Sequence, residues 1–501
     1  MSRDPIKVYD ARWEAAEFSG AEVTRLFEAT LLYGRELDAD TVVFGRDARL
    51  AAAHVLELGI GEALRQGYRV FARAEPIGTP HGYFMTHWAS QRHPRAMGLM
   101  ITASHNPARY VGVKFVVPTV QAIGLNCGPA GGLRRVREIY HSGARAAGTP
   151  GGELHLLDLG REYVDFSLRA AGVTPGSLAG LTAVLDAFHG SAGPELHAAL
   201  DRAGLKVHAR RLLPDGNFPT GSPNPISRGK MDEAVAWCGQ HGADLVIGVD
   251  GDGDRLVFGD RRGILTAGFA MLPVLQAMGV AGAAGAAGSP PAVLYDPKVS
   301  PLALSEWGRL GVRPVLFRNG HSQIKDYMRR IGAVAAAEES GHYYHRLTLG
   351  ELTVAAENSL VTALLFLGAL HRQRSLLDHL WELQRRGFTT GEFNYQFDGD
   401  ARRDAAMAAA IAHFAGRGAS AVSTTPDGID LEGTVLARGV DLTPGQTRLD
   451  EGWYSGYLRV ATNEKGVLRS YFSAGDEETG HMVERATRQL LEREFGGTVV
   501  E

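Results

Sequence analysis

Three times in succession along this 501-residue chain, short apolar runs alternate with Ala- and Leu-rich stretches of helical character. The first series predicts strands at Thr41–Phe44, Arg69–Phe71 and Leu99–Thr102, with a helix at Ala51–Gln66. The second predicts Leu181–Asp186, a helix from about Pro194, Lys206–Ala209, a helix from about Met231, and Leu245–Val249. The third predicts Ala292–Tyr295, a helix near Leu302–Leu310, Pro314–Arg318, and a helix near Ile324–Ile331. Three β/α series with no shared helix-only region argue for three α/β domains. From about Phe388 the texture changes to charged helices and irregular short strands, so a fourth, smaller domain is expected. The chain is too long for one core, and the expected domains are 1–155, 156–258, 259–375 and 376–501. Gly279–Pro291, almost all Gly and Ala before Ser-Pro-Pro, is expected to extend a helix end into a loop.

Composition narrows the partners. With 45% hydrophobic and 22% charged residues the chain has the make-up of an ordinary globular protein. A net charge of −4 and the lack of a long basic cluster speak against nucleic acid as a partner. Two cysteines, Cys127 and Cys238, do not make a disulfide framework and fit a reducing compartment. Met1-Ser2-Arg3-Asp4-Pro5 lacks the apolar core of a signal peptide, and no apolar run reaches the ~20 residues of a membrane span. The expectation is a cytoplasmic protein without a membrane partner.

Directly after the run Leu245–Val249 comes Asp250-Gly251-Asp252-Gly253-Asp254-Arg255. Three aspartates at alternate positions repel one another unless a cation offsets them, and hard oxygens suit Mg²⁺ better than zinc. An EF-hand fits loop positions one, three and five, but Arg255 stands where that loop needs glycine and Arg261 where it needs glutamate. A solvated acidic turn is the plainer reading, disfavoured because ligands of open α/β sheets bind at the carboxyl ends of strands.

Thr102-Ala103-Ser104-His105-Asn106-Pro107 follows another strand. A protease-type Ser104 would need His105 as its base, yet an adjacent residue rarely folds back on its neighbour, and the Gly-x-Ser-x-Gly elbow is absent. As a phosphoryl carrier, Ser104 needs a metal to neutralise phosphate and a group to move protons. In Tyr110-Val111-Gly112-Val113-Lys114-Phe115 a period of two puts Tyr110, Gly112 and Lys114 on one, polar face. Lys114 there is a proton donor or acceptor if its pKa is lowered, although taken alone it reads as a surface lysine.

Further along, Glu338-Glu339-Ser340-Gly341-His342 offers the carboxylate, hydroxyl and imidazole that sugar hydroxyls require; a Glu-rich turn before a helix is the bland alternative. Asn319-Gly320-His321-Ser322 and Asp296-Pro297-Lys298 bring basic groups near strand ends, which fits a phosphorylated ligand. Arg459-Val460-Ala461-Thr462-Asn463-Glu464-Lys465-Gly466 reads as a phosphate clamp or equally as a plain turn.

In this order, these segments resemble the α-D-phosphohexomutase family, which includes phosphomannomutases and phosphoglucomutases, over nearly the whole chain. Val8-Tyr9-Asp10-Ala11-Arg12 is similar to the family's Tyr-Asp-Ile-Arg-Gly opening, and Gly45-Arg46-Asp47-Ala48-Arg49 to its Gly-Arg-Asp-x-Arg strand end. Thr102–Pro107 resembles the phosphoserine loop, Asp250–Arg255 the metal loop and Glu338–His342 the sugar-binding loop, while Asp186, Gly190 and Asp215–Pro219 fit the second domain. The implied fold is three consecutive α/β/α domains of similar topology plus a C-terminal α+β domain, arranged around a central cleft.

The implied reaction interconverts hexose 1-phosphate and hexose 6-phosphate through phosphorylated Ser104 and a bisphosphorylated intermediate. One Mg²⁺ per chain would sit among Asp250, Asp252, Asp254 and a phosphoserine oxygen of Ser104, and a bisphosphorylated sugar would be the activator. Lys114 and His342 would carry protons, with Arg255 beside them; Glu338 and Ser340 would hold sugar hydroxyls. Arg12, Arg255, Lys298 and His321 would supply positive charge around the phosphates, and Arg459, Thr462 and Asn463 the clamp.

Departures from the family pattern fall at Val111 for Asn, Trp13 for Gly, Ala337 for Gly, and Ala461-Thr462-Asn463 with Lys465-Gly466 in the clamp. They bear on the substrate more than on the reaction class. Phosphoglucosamine, or an unusual phosphosugar or cyclitol phosphate, stands as the alternative to mannose or glucose phosphate. A phosphosugar phosphatase and a non-catalytic phosphosugar-binding homologue are the readings of other classes, and the oligomeric state is open.

Overall fold

The computed structural model describes residues 4–280, 289–443, 447–461 and 464–500. Most of the Gly/Ala segment, as well as Thr462 and Asn463, lies outside them. The chain forms two compact units. One comprises Met1–Ile264, Gly320–Ala335 and Ser340–Arg374; the other comprises Leu265–Asn319, Ala336–Glu339 and Ser375–Glu501. The stretch expected as the third domain therefore contributes to both.

In the first unit, one sheet runs in the order Ala11–Glu14, Tyr110–Val117, Ala96–Ile101, Thr41–Arg46, Arg69–Ala72, Glu153–Leu156. Its centre is parallel and its Tyr110–Val117 strand antiparallel to both neighbours. Ala96–Ile101, parallel to Thr41–Arg46 and antiparallel to Tyr110–Val117, is buried throughout. A second sheet pairs Leu245–Val249 in parallel with Thr182–Asp186, and that strand in parallel with Lys206–Arg210. Leu256–Asp260 runs back antiparallel beside Leu245–Val249, so the three-aspartate loop is the connection of a hairpin at the carboxyl end of a parallel strand. The hairpin Tyr343–Leu349 and Leu352–Glu357 completes the unit with the helix Ser359–Arg372.

In the second unit, Ala292–Tyr295 pairs in parallel with Arg313–Leu316. Trp307, fully buried, donates its indole N–H to the Gly268 carbonyl at 2.8 Å and locks the helices Pro301–Arg309 and Ala267–Ala277 together. The C-terminal part is a separate sheet in the order Ser420–Thr424, Asp430–Asp441, Arg448–Val460, Val467–Ala474, Phe388–Gln396, Thr498–Val500, with antiparallel neighbours. Its core gathers Tyr395, Phe414, Tyr454, Leu458 and Phe472 under the helices Asp400–Ala415 and Glu477–Arg488. This is the expected α+β domain following the α/β series.

The predicted elements recur with shifted ends; the strand expected from Leu99 begins at Ala96, and the helix expected near Ile324 begins at His321. Several described helices carry no clear mark in the sequence, among them three of different kinds. Gly20–Glu36 starts on a capping box in which Ser19 and Glu22 satisfy each other's backbone N–H. Thr79–Ser90 and Ser359–Arg372 are buried nearly all round, so neither shows the polar stripe that betrays a surface helix. The face that Lys114 shares with Tyr110 and Gly112 is not a solvated one: every residue of the strand after Tyr110 is buried, Lys114 included, and its ammonium meets carboxylates. Among the described residues no helix is long and apolar enough to cross a membrane.

Candidate functional site

Ser104 lies three residues beyond the strand Ala96–Ile101 and adopts a left-handed backbone, φ +53°, which few non-glycine residues accept. The conformation is held from both sides. Ser104 N–H donates to Thr102 Oγ1 at 2.8 Å, and the Ser104 carbonyl accepts from Arg49 Nη2 at 2.6 Å. The same guanidinium donates to the carbonyls of Asn106, Pro107 and Tyr110 at 2.7, 2.8 and 2.9 Å and to Asp47 Oδ2 at 2.9 Å. Arg49 is 0% exposed, so solvent does not compete for these five contacts. Gly112 lets the neighbouring strands close behind the loop, since a Cβ there would lie 2.2 Å from the Ala11 carbonyl and 2.9 Å from that of Thr102.

The left-handed turn corrects one expectation. It swings His105 back, so its Nδ1 lies 3.2 Å from Ser104 Oγ despite the adjacency of the two residues. Burial, then the charge of Arg255, holds the His105 imidazole well below its usual pKa. On its other side Ser104 Oγ is 3.5 Å from Asp250 Oδ2.

Asp250, Asp252 and Asp254 are buried, and a ligand oxygen from each lies within 4.8 Å of the others. Burial, then the charges of Asp252 and Asp254, pushes Asp250 well above the usual carboxylate range; burial and Asp252 raise Asp254. Asp252 goes the other way. Burial is the largest influence and opposes its charge, but the charge of Lys114, hydrogen bonds from Lys114 and Thr79 and the charge of Arg12 together outweigh it and hold Asp252 below the usual carboxylate range. Its Oδ2 accepts from Lys114 Nζ at 2.8 Å, Thr79 Oγ1 at 2.6 Å and Thr102 Oγ1 at 3.1 Å. Lys114 Nζ also donates to Asp254 Oδ2 at 2.5 Å. Asp252 Oδ1 and Asp254 Oδ1 are left buried with no hydrogen-bond partner. Two such orphaned oxygens are costly, and a hard divalent cation is the group that suits them.

Lys114 departs from the condition set by the sequence reading. Burial would lower its pKa, yet Asp252 and Asp254 outweigh burial and hold it well above the ordinary lysine value.

Arg255 and His342 are joined by main chain and side chain alike. They form an isolated antiparallel bridge, Leu256 N–H donates to the Gly341 carbonyl at 2.8 Å, and Arg255 Nε donates to His342 Nε2 at 3.0 Å. The imidazole's Nδ1 then faces Asp254 Oδ1 at 3.6 Å and Glu357 Oε1 at 4.0 Å. Burial, then Arg255, keeps His342 well below its usual pKa. Glu357 is in turn bonded by Lys325 Nζ at 2.8 Å, which also reaches the Tyr83 hydroxyl at 2.8 Å. Arg12 donates to Asp10 at 2.8 Å and to Asn106 Oδ1 of the serine loop at 3.1 Å. His321 is buried with both ring nitrogens unpartnered, and burial followed by the charge of Lys325 depresses its pKa strongly. Ser340 is half-buried next to Gly341.

The first unit thus gathers Arg12, Ser104, Lys114, the three aspartates, Arg255, His321, Ser340 and His342. Glu338, Lys298 and Arg459 belong to the second. There Glu338 Oε1 accepts from Asn319 Nδ2 at 3.1 Å, and Asn319 also donates to Asp296 Oδ2 at 2.6 Å. Lys298 Nζ donates to Glu392 Oε2 at 3.1 Å; burial opposes its charge, but Glu392 and Asp296 raise its pKa. Arg459 Nη2 donates to Glu432 Oε2 at 3.0 Å. The neighbouring glutamate of the 338–342 loop is engaged differently. Glu339 accepts from the Ala267 and Gly268 N–H groups at 3.1 and 3.3 Å, at the start of the helix Ala267–Ala277.

The sequence reading assigned no role to Arg49, Asp47, Thr79, His105 or Glu357. Only the Asp47-Ala48-Arg49 pairing at a strand end carried a usable signal.

Three family models match the chain: phosphoglucomutase/phosphomannomutase alpha/beta/alpha domain I over residues 4–124, domain II over 161–263 and domain III over 276–386. A protein named phosphohexose mutases from Xanthomonas campestris pv. campestris (strain B100) is 30% identical over 416 residues, 83% of this chain and 87% of its own length. The phosphomannomutase of Salmonella typhimurium is 29% identical over 495 residues, 97% of this chain and 98% of its own. The crystal structure of a phosphoglucomutase/phosphomannomutase family protein from Burkholderia thailandensis shares the fold with a TM-score of 0.76 at 21% identity, covering 98% of each chain.

Proposed function

Because this chain belongs to the phosphoglucomutase/phosphomannomutase family and is a phosphohexomutase, we propose that it interconverts hexose 1-phosphate and hexose 6-phosphate through phosphorylated Ser104 and a bisphosphorylated intermediate. Mannose and glucose phosphates are its substrates in this reading. The observation that carries the proposal is Ser104 Oγ, held on a strained loop 3.5 Å from Asp250, in whose aspartate cluster two carboxylate oxygens are orphaned and Lys114 bonds Asp252.

Phosphoryl transfer is mostly positioning and charge neutralisation. In the first half-reaction the bond from phosphorus to Ser104 Oγ breaks as one to a sugar hydroxyl forms; that hydroxyl gives up its proton and Ser104 Oγ takes one up. The reverse step, from the other end of the intermediate, restores phosphoserine. Arg49 fixes the loop that presents Ser104; Lys114 and His342 carry the protons, with Arg255 setting the imidazole. Asp250, Asp252, Asp254 and a phosphoserine oxygen would hold one Mg²⁺, which when bound neutralises charge on the phosphate. Glu338 and Ser340 hold sugar hydroxyls, and Arg12, Lys298, His321 and Arg459, with Thr462 and Asn463, hold phosphate. A bisphosphorylated sugar is the activator that primes Ser104. The four domains of this reading, 1–155, 156–258, 259–375 and 376–501, carry the serine, metal, sugar and phosphate loops in turn.

The test is a panel of glucose, mannose and glucosamine 1- and 6-phosphates with a bisphosphate activator, following both isomer and released phosphate. Interconversion of glucose or mannose phosphates with little free phosphate is expected. Phosphate release matching turnover would instead make the protein a phosphatase, and turnover confined to glucosamine phosphates would overturn the substrate.

A further inference from the structure

Within the second unit the carboxylate of Glu432 lies between two arginines. Its Oε2 accepts from Arg459 Nη2 at 3.0 Å, and its Oε1 is 3.5 Å from Arg318 Nη1. The three side chains, Arg318, Glu432 and Arg459, are 10%, 13% and 14% exposed. Arg318 also donates to the Asp430 carbonyl at 3.2 Å, yet its Nε is buried with no partner. Glu432 reaches this position from a backbone of φ +59°, which a non-glycine residue adopts only under strain, pinned by its N–H to Asp430 Oδ1 at 2.9 Å. Arg459 stands directly opposite Arg469 on the next strand, a like-charge pair that favours an anion nearby. The same arrangement recurs at Lys298, where Glu392 Oε2 lies 3.1 Å from the ammonium and Glu392 Oε1 lies 3.8 Å from Arg469.

A carboxylate set between two guanidinium groups offers them the anionic oxygens that a phosphate would, with about one charge fewer. We infer that Arg318 is a second phosphate-binding arginine beside Arg459, and that Glu432 is a resident carboxylate which the non-transferred phosphate of the substrate displaces. The inference rests on the reading of Arg459 as the phosphate clamp. Two nearly buried arginines stripped of their anion would be costly each time a phosphate left. With Glu432 at hand the clamp releases phosphate into a site that is already compensated. That suits a bisphosphorylated intermediate, which must let go at one end before it presents the other. The device trades affinity for release, so removing the carboxylate must tighten phosphate binding.

The test uses the full chain and calorimetric titration with inorganic phosphate, alongside KM for glucose 1-phosphate and mannose 1-phosphate. Glu432→Gln should bind inorganic phosphate about tenfold more tightly and lower KM in parallel. Glu432→Gly, which suits the left-handed backbone, should move both in the same direction, so a folding defect in one variant does not decide the matter. Arg318→Gln should weaken phosphate binding. Arg459→Ala serves as the reference. If it leaves phosphate affinity unchanged, the clamp lies elsewhere and the inference falls with it. If Arg459→Ala weakens binding while both Glu432 variants leave it unchanged or weaker, the clamp stands and displacement of Glu432 is refuted.

Discussion

The guanidinium of Arg49, wholly shielded from solvent, hydrogen-bonds the carbonyl of Ser104 itself at 2.6 Å. Its other hydrogen bonds reach three more carbonyls of the same loop and the buried Asp47. Arg49→Lys keeps the charge but cannot spread one ammonium over those acceptors. It should destabilise the protein by about 3 kcal/mol, since each buried carbonyl left without its donor costs about 1–3 kcal/mol, and lower kcat by at least about tenfold through loss of loop position. Urea denaturation and steady-state kinetics check this; a variant with wild-type midpoint and kcat would refute the clamping role.

Ser104 should be found phosphorylated in part of the purified protein, as an added phosphoryl mass mapping to its peptide. Ser104→Ala should lose that mass and nearly all turnover. Since alanine suffers the same left-handed strain, Ser104→Gly separates chemistry from backbone: it should fold at least as well and be equally inactive. Substantial turnover by either variant would exclude the phosphoserine route.

Removing Mg²⁺ with a chelator should abolish turnover, and re-addition restore it. Asp252→Asn takes away the carboxylate that Lys114, Thr79 and Thr102 all address, so Mg²⁺ affinity and kcat should fall together. Calcium should support far less turnover because its coordination is longer and looser. Full activity in excess chelator would remove the aspartates from the metal assignment.

Glu339 supplies a pH prediction. Burial, then the nearby Asp296, pushes its carboxyl up to about 8 from an ordinary 4.5, although two backbone N–H groups favour the anion. The folded chain therefore holds a proton that the unfolded chain releases above about pH 4.5, and its stabilising contribution is lost as pH rises through about 8. Glu339→Gln has no such proton to lose. Its melting temperature relative to wild type should rise steadily between pH 5 and pH 8. Parallel curves for the two proteins across that range would show that Glu339 is ionised throughout.

Much of this was legible in the sequence, because the chemistry is contiguous there. Three aspartates between glycines, or a serine in a Thr-Ala-Ser-His-Asn-Pro loop, announce themselves within six residues. What stayed hidden depends on contacts remote in sequence or on backbone conformation. Thr79 meets Asp252 across 173 positions and carries no local mark of it. Nothing in the sequence marks Ser104 as left-handed, the conformation in which His105 Nδ1 lies within reach of its Oγ. Lys114 was visible as a chemical group, but its burial and its raised pKa come from strands and carboxylates supplied by other parts of the chain. The helices Thr79–Ser90 and Ser359–Arg372 were lost because full burial erases periodicity.

The bridge between Arg255 and His342 makes two loops, 87 residues apart in sequence, into one mechanical piece. Lengthening either by a residue would draw the imidazole off Nε of Arg255 and slip Leu256 from the Gly341 carbonyl at once. For protein engineering the segments 250–256 and 340–342 are therefore a single cassette, to be exchanged between relatives together or left alone.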